Sequence, residues 1–269
     1  MEIDTAVAHV ARVYDFLLGG TTNFEVDRAA AVQVTAGSGG LETARGHIRA
    51  NRRFLGRAVR HLAEEGVHQF LDLGAGIPTA DNVHEVAQAV APAARVVYVD
   101  DDPVVLAHAH QLLCGTPEGA TTFARHDLRD HRAVLAAAAD TLDLGRPVAV
   151  LLVSMLHLFP DLDDAAGIVR PYVDAIGPGS FLVLSHLAGE SDDMTRIGTA
   201  VGESQSTNYT LTPRCHDEVA RFFTGLDLVD PGLVLVDDWR PDPDPDRSAD
   251  AEPPGAAPTP FHGGVARKP

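Results

Sequence analysis

The chain is poor in lysine and cysteine, and each shortage excludes something. A single lysine, Lys268, and 21 basic side chains in all stand against 38 acidic ones in 269 residues, a formal net charge of -17. So acidic a surface repels a polyanion, which argues against DNA or RNA as a partner. The densest basic stretch, Arg45 to Arg60, is interleaved with Ile48, Phe54, Leu55, Ala58, Val59 and Leu62, the pattern of an amphipathic helix with a solvated side. The two cysteines, Cys114 and Cys215, form no Cys-x-x-Cys and supply neither a disulfide framework nor a thiolate metal site. Histidines are plentiful, but His108 with His110 and His126 with His131 lack the spacing of a zinc-binding helix, so no metal is expected. No apolar run is long enough for a membrane helix, and Glu2 and Asp4 stand where a signal peptide carries basic residues. The expectation is a cytoplasmic protein with no membrane partner.

What is present begins at Phe70-Leu71-Asp72-Leu73-Gly74-Ala75-Gly76-Ile77-Pro78-Thr79. An apolar strand runs there into an acid, two alternating glycines and a helix start, the layout of a nucleotide-type cofactor loop. The third glycine of the dinucleotide fingerprint is missing, with Thr79 in its place. Asp72 adds negative charge beside the loop and Pro78 removes an amide donor, both unfavourable to a pyrophosphate. A cationic ligand suits the loop better, and S-adenosylmethionine, with a sulfonium, an ammonium and no phosphate, is of that kind. A plain tight turn is the alternative for so short a motif. Arg95 to Asp100 reads as a buried parallel strand ending in a carboxylate, which makes Asp100 the candidate for a ribose. Asp101 and Asp102 also read as acids at a helix N-terminus ahead of Pro103. Asp127 follows a strand at Thr121 to Ala124, where a carboxylate can accept from an adenine amino group.

Strands and helices alternate in the manner of a doubly wound sheet. Helices are expected over Ala6 to Leu18, Asn23 to Val34, Leu41 to Glu65, Thr79 to Val90, Pro103 to Leu113, Arg132 to Ala139, Asp163 to Ile176 and Pro213 to Phe223. Strands end at Leu73 and Asp100, begin at Thr121, and span Pro147 to Val153 and Ser180 to His186. Leu226 to Val229 and Gly232 to Val236, joined by Asp230-Pro231-Gly232, read as an antiparallel hairpin. The fold class is α/β, a Rossmann-like, mostly parallel sheet with one antiparallel strand behind N-terminal capping helices. Residues 1-66 are expected to form the helical cap, 67-240 the cofactor domain and 241-269, rich in Asp-Pro and Pro/Ala/Gly, a disordered tail.

Several segments carry a resemblance. Ala11-Arg12-Val13-Tyr14-Asp15-Phe16-Leu17-Leu18-Gly19-Gly20, Asn23-Phe24-Glu25-Val26-Asp27-Arg28 and Ala50-Asn51-Arg52-Arg53-Phe54-Leu55 are the longest. With the glycine segment, Val97 to Asp100, Asp102 to Leu106, Val150 to Asp161, Leu184-Ser185-His186 and Val219 to Phe223, they closely resemble a bacterial S-adenosyl methyltransferase family once catalogued as a domain of unknown function. The resemblance runs from about Val7 to Asp242. It implies the class I methyltransferase fold with Asp72, Gly74, Ala75 and Gly76 bordering the methionine moiety of S-adenosyl-L-methionine. Asp100, with Asp101 beside it, then holds the ribose, and Asp127 with Leu128 borders the adenine. Tyr14 and Gly19-Gly20 sit over the methionine end, and Asn23 and Arg52 are candidates for lining it. Tyr14 also reads as the aromatic knob of an amphipathic helix, and Gly19-Gly20 as a helix terminator.

Methyl transfer needs alignment, plus a base if the nucleophile is protonated. The strand of Val150 to Val153 ends in Ser154-Met155-Leu156-His157, where such sheets bind ligands. His157 is the first candidate base and His186, at the next strand end, the second; each equally reads as a structural histidine. Ser154 and Met155 are expected to line the cofactor. A methyltransferase acting on a small molecule leads. A protein that binds S-adenosylmethionine without turnover is the alternative, and an NAD-dependent oxidoreductase is disfavoured by Asp72, Pro78 and the missing glycine.

Overall fold

Three helices come first, α1 (Val10–Leu18), α2 (Glu25–Thr35) and α3 (Gly40–Glu64). Strands then alternate with helices: β1 (Gln69–Leu73), α4 (Val83–Val90), β2 (Arg95–Asp100), α5 (Pro103–Leu112), β3 (Ala120–Arg125), α6 (His131–Ala138), β4 (Ala149–Val153), a 3-10 turn (Leu156–Leu158), α7 (Leu162–Ala175) and β5 (Phe181–Leu187). A short helix α8 (His216–Ala220) and a 3-10 turn (Arg221–Phe223) precede β6 (Asp227–Leu228), β7 (Val234–Leu235) and β8 (Phe261–Arg267). The computed structural model describes residues 5–36, 39–79, 81–112, 114–189, 209–242 and 259–269. The sheet order is β3-β2-β1-β4-β5-β8-β6, with β7 also paired to β8. β1 to β5 are parallel, and among the described residues β8 is the one reversed strand, antiparallel to β5, β6 and β7.

The parallel strands are near-continuous apolar runs because helices cover both faces. Side chains alternate between two cores, as the period of two requires. Phe70, Val96, Leu151 and Val183 meet α3 and α4 on one face, whereas Leu71, Val97, Leu152 and Leu184 meet α6 and α7 on the other. α3 contributes Ala50, Phe54, Leu55, Ala58, Val59 and Leu62 at helical spacing, all buried. Each large one adds on the order of 1.5 to 3 kcal/mol of burial. This helix is therefore shared between the cap and the core. It stops where Gly66 takes a φ of +87° and the Val67 N–H returns to the Leu62 carbonyl, a left-handed glycine cap.

The end of the chain corrects the expected tail. Residues 243–258 lie outside the described residues, but Phe261–Arg267 is a buried strand paired with β5 over seven residues. Its two glycines weaken the strand signal, yet Gly263 is there because a Cβ would lie 2.8 Å from Val236 and 3.0 Å from the Phe54 ring. β6 and β7 do not form the expected hairpin either. Both run in the same direction along β8, which supplies the hydrogen bonds they would have exchanged. α4 begins at Val83 rather than Thr79, with Asn82 as its cap and the Glu85 carboxylate accepting from the Asn82 N–H at 2.7 Å. α1 begins at Val10, not Ala6, and the helix expected from Pro213 is confined to α8 and its 3-10 turn. Among the described residues, no helix is long and apolar enough to cross a membrane.

Candidate active site

A cavity of about 470 Å³ opens at the C-terminal ends of β1, β2 and β4, beneath α1. The glycine loop forms its floor. Gly74 and Ala75 both donate to the Val99 carbonyl, at 2.8 and 3.1 Å, so the chain bends across the end of β2. Gly74 has a φ of +78°, and a Cβ there would collide with the Met155 side chain. Gly76 donates to Asp100 Oδ2 at 2.9 Å, and Asp102 N–H to Asp100 Oδ1 at 3.0 Å. Asp100 thus holds the glycine loop as well as facing the cavity. Burial raises its pKa, against the pull of those two N–H bonds.

Asp72 also lines the cavity. It is 94% buried by its 6% exposure, and no hydrogen bond to its carboxyl is made among the described residues. Burial pushes its pKa up to about 7, with the Arg52 charge opposing and Asp100 adding. Arg52 lines the same cavity and donates to the Asp81 carbonyl at 3.1 Å. A buried acid that accepts no hydrogen bond is costly, and a cation placed beside it lowers the cost. The sulfonium and ammonium of S-adenosylmethionine meet that need, and the Arg52 guanidinium is the complementary group for a carboxylate; the donor set fits the cofactor.

α1 crosses the cavity mouth and is tied down at both ends. His9 Nδ1 lies 2.9 Å from Asp102 Oδ2. Burial opposes a charge on His9, but the hydrogen bond and charge of Asp102 outweigh it and raise its pKa. Asp27, fully buried, accepts from His9 N at 2.9 Å, from Arg12 Nε at 3.1 Å and from Phe24 N at 2.8 Å, joining α1 to α2. At the other side Asn51 Nδ2 donates to Tyr14 Oη at 3.2 Å, and Ser185 Oγ donates to Asn51 Oδ1 at 2.6 Å. Ser185 Oγ in turn accepts from Ser154 N at 3.0 Å. A buried polar chain therefore runs from the cap through α3 to the ends of β5 and β4. Tyr14, Ser154 and Met155 all line the cavity.

At the adenine end of the expected site, Asp101, Asp127, Leu128 and Arg129 line the cavity. The Asp127 carboxylate is gripped by Arg129, whose hydrogen bonds hold its pKa down, and Leu128 is 8% exposed with its carbonyl accepting from Tyr172 Oη at 2.6 Å. Ala75 and Gly76 complete the loop wall.

Five expected site residues, Gly19, Gly20, Asn23, His157 and His186, lie outside the cavity lining. Gly19 is the left-handed C-cap of α1, φ +87°, and does not line the cavity. His157 and His186 do not line it either; they pack against each other with ring centroids 5.5 Å apart, and His186 stacks on Phe222. Burial lowers the pKa of His157 to about 3, with Arg214 adding to it. His186 Nε2 accepts from Arg214 Nη1 at 2.9 Å, which leaves Nδ1 to donate to the Leu187 carbonyl, also at 2.9 Å. Burial and the neighbouring His157 keep it neutral. Neither histidine reaches the cavity, and their packing accords with the structural reading open for each. Arg214, which the sequence did not single out, donates to the Leu156, Phe159 and Pro160 carbonyls and so shapes the wall formed by Leu158, Phe159 and Pro160. His9, Asp15, Asn51 and Ser185 also escaped a site assignment, although the last three stand inside the segments that carry the resemblance.

The model of a family described as S-adenosyl methyltransferase matches residues 1–269. A solved structure from Streptomyces avermitilis MA-4680, of the DUF574 family, is 41% identical over all of both chains with a TM-score of 0.90. A protein from Thermobifida fusca YX, assigned as a methyltransferase, is 40% identical over 98% of this chain and 96% of its own, with a TM-score of 0.83. The magnesium protoporphyrin IX methyltransferase of Synechocystis PCC 6803, solved with S-adenosylhomocysteine bound, shares 15% identity over 84% of this chain and 87% of its own, with a TM-score of 0.52. That likeness is one of fold. No curated protein matches the chain.

Proposed function

The chain belongs to the S-adenosyl methyltransferase family, and from that premise we propose that its methyl acceptor is a small molecule bound in the cavity under α1. The protein is an S-adenosylmethionine-dependent methyltransferase. When bound, the cofactor supplies an electrophilic methyl group on a positively charged sulfur.

The residues divide the work. Asp72 neutralises the cofactor's cationic end and Arg52 answers its carboxylate. Asp100 holds the glycine loop closed and keeps lone pairs for the ribose hydroxyls. Leu128 supplies an apolar face for the adenine, with Asp127 at its edge. Tyr14 carries a hydroxyl hydrogen that makes no other bond among the described residues, and it can donate into the cavity. The cap, held at His9 and Tyr14, excludes water, which strengthens every charge interaction beneath it. No general base is assigned to His157 or His186, because neither lines the cavity.

The observation that carries this reading is the buried carboxyl of Asp72, which accepts no hydrogen bond among the described residues and lines a cavity bent around glycines. A small acceptor is supported by the enclosure of that cavity beneath a helix. Calorimetry with S-adenosylhomocysteine and NAD tests the cofactor: binding of the first alone is expected, and NAD binding alone would overturn the assignment. Incubation with methyl-labelled cofactor and fractionated cell extract tests the acceptor. Label in a dialysable product is expected. Label in protein or nucleic acid refutes a small acceptor, and no label in any fraction leaves binding without turnover as the reading.

A further inference from the structure

Among the carboxylates that line the cavity, Asp15, Asp101, Asp161 and Asp164 take no part in that division of work, and of these only Asp15 is buried. Asp15 sits on α1, lines the cavity and is only 4% exposed. The segment after it is built around its side chain. Gly19 turns the chain back in the left-handed conformation, and Gly20 returns its N–H to the Asp15 carbonyl at 2.8 Å. Gly20 cannot be any other residue without movement, because a Cβ there would run into the Asp15 carboxylate. Asn23 Nδ2 then donates to Asp15 Oδ2 at 2.8 Å and to the Gly20 carbonyl at 2.9 Å. Arg28 Nη1 in turn donates to Asn23 Oδ1 at 2.9 Å. Oδ1 of Asp15 receives no hydrogen bond among the described residues.

The Asn23 amide holds Oδ2 of this buried acid and Gly20 packs closely against its carboxylate, while Oδ1 accepts no hydrogen bond among the described residues, on a side chain that lines the cavity. A structural acid would have both oxygens satisfied, as Asp27 does. The open oxygen calls for a donor, and in a partly apolar enclosure that includes Leu18, Leu158 and Phe159 it prefers one that is or becomes positively charged.

Resting on the methyltransferase reading, we propose that Asp15 is the catalytic residue that binds the acceptor and that the acceptor is an amine. The ammonium first loses one proton to water; a remaining N–H of the free amine then donates to Asp15 Oδ1, which aims the nitrogen lone pair at the methyl carbon. The nitrogen–carbon bond forms as the carbon–sulfur bond breaks, sulfur keeps that electron pair, and the positive charge passes to nitrogen. Asp15 stabilises this charge as it develops, and the methylated ammonium later loses a proton to water. No base is required in the transfer step.

The test uses protein saturated with S-adenosylhomocysteine, titrated with benzylamine, 2-phenylethylamine and cyclohexylamine, each paired with the alcohol of the same skeleton. At least one amine is expected to bind about tenfold more tightly than its alcohol. In Asp15→Asn that preference is lost, while the affinity for S-adenosylhomocysteine stays within about threefold. In Asn23→Ala, which keeps the carboxylate but removes its tether, the preference shrinks without vanishing; this variant carries the test if Asp15→Asn does not fold. Equal binding of amines and alcohols to the unaltered protein, or an amine preference surviving in Asp15→Asn, overturns the proposal. So does a large loss of S-adenosylhomocysteine affinity in Asp15→Asn, which assigns the residue to the cofactor. Failure of the unaltered protein to bind S-adenosylhomocysteine is a separate result and counts against the methyltransferase reading itself.

Discussion

The His9 imidazole and the Asp102 carboxylate meet at 2.9 Å across the gap between the cap helix and the loop after β2. His9 has a raised pKa and Asp102 a lowered one, burial opposing the charge on each and their mutual contact prevailing. Each shift fixes a pH edge for cap docking. The His9 contribution is full below its ordinary 6.5 and disappears as pH rises through its higher folded value. The Asp102 contribution is full above 3.8 and disappears as pH falls through its lower folded value.

Cap docking should therefore be firmest between about pH 4 and 6.5 and loosen toward pH 8.5. The contribution is at most about 1 kcal/mol, since His9 is partly exposed. Limited proteolysis within residues 5–36 at pH 5.5 and 8.5 reads it. His9→Gln should cleave at the same rate at both; a pH difference that survives in the variant locates the switch elsewhere.

Gly74 and Met155 make a second pair whose energetics follow from shape. Gly74→Ala forces an alanine to a φ of +78° and into the Met155 side chain, whereas Gly76→Ala, at +66°, meets open space. The first variant should lose roughly 1 to 3 kcal/mol and the second about 1. Urea unfolding ranks them, and Met155→Ala in the Gly74→Ala background should restore the part of the loss that is collision rather than backbone strain.

The parts of this fold that were legible are those where local pattern and tertiary role agree. β1, β2 and β4 are apolar runs because both faces are covered, and their ends carry Asp72, Asp100 and Ser154 into the cavity. β8 was illegible for the opposite reason. Gly263 and Gly264 read as loop, and what makes them strand residues is the proximity of Phe54, Val236 and Phe223, none of them near in sequence. The histidines show the limit of placing a residue at a strand end without its face. Ser185 points toward Asn51 on α3, so His186, one residue on, turns to Phe222 on the opposite side. Ser185 and His186, neighbours at the end of β5, are sent to opposite faces by the pleat.

The chain from Tyr14 through Asn51 and Ser185 to Ser154 should behave as a unit. Asn51→Leu leaves the Ser185 hydroxyl without its acceptor and is expected to cost about 1 to 3 kcal/mol. Ser185→Ala should cost about 1 kcal/mol, since Ser154 N–H keeps the Ser185 carbonyl at 3.2 Å. In the double variant the losses should fall short of their sum by about 0.5 kcal/mol or more. Strict additivity in urea unfolding would mean that the bonds are neighbours but not a network.

Asp72 supplies the sharpest contrast between stability and function. Its carboxyl ionises near 3.8 in an unfolded chain and near 7 in the folded one without ligand, so the folded state holds a proton that the unfolded state has lost. Stability without cofactor must then fall as pH rises from about 4 to 7 and stay reduced above that. Asp72→Asn, which cannot ionise, should be more stable than the unaltered protein at pH 8 by roughly one to a few kcal/mol. Binding runs the other way. A cationic ligand favours the ionised carboxyl, so at pH 6 binding of S-adenosylhomocysteine through its ammonium should release a proton and tighten with rising pH. Calorimetry in two buffers of different ionisation enthalpy measures that proton directly. Asp72→Asn should bind more weakly and release none, so a variant that is both more stable and less able to bind identifies the acid as strain retained for the ligand. If proton release persists in Asp72→Asn, another group titrates on binding and the charge match drawn here is wrong.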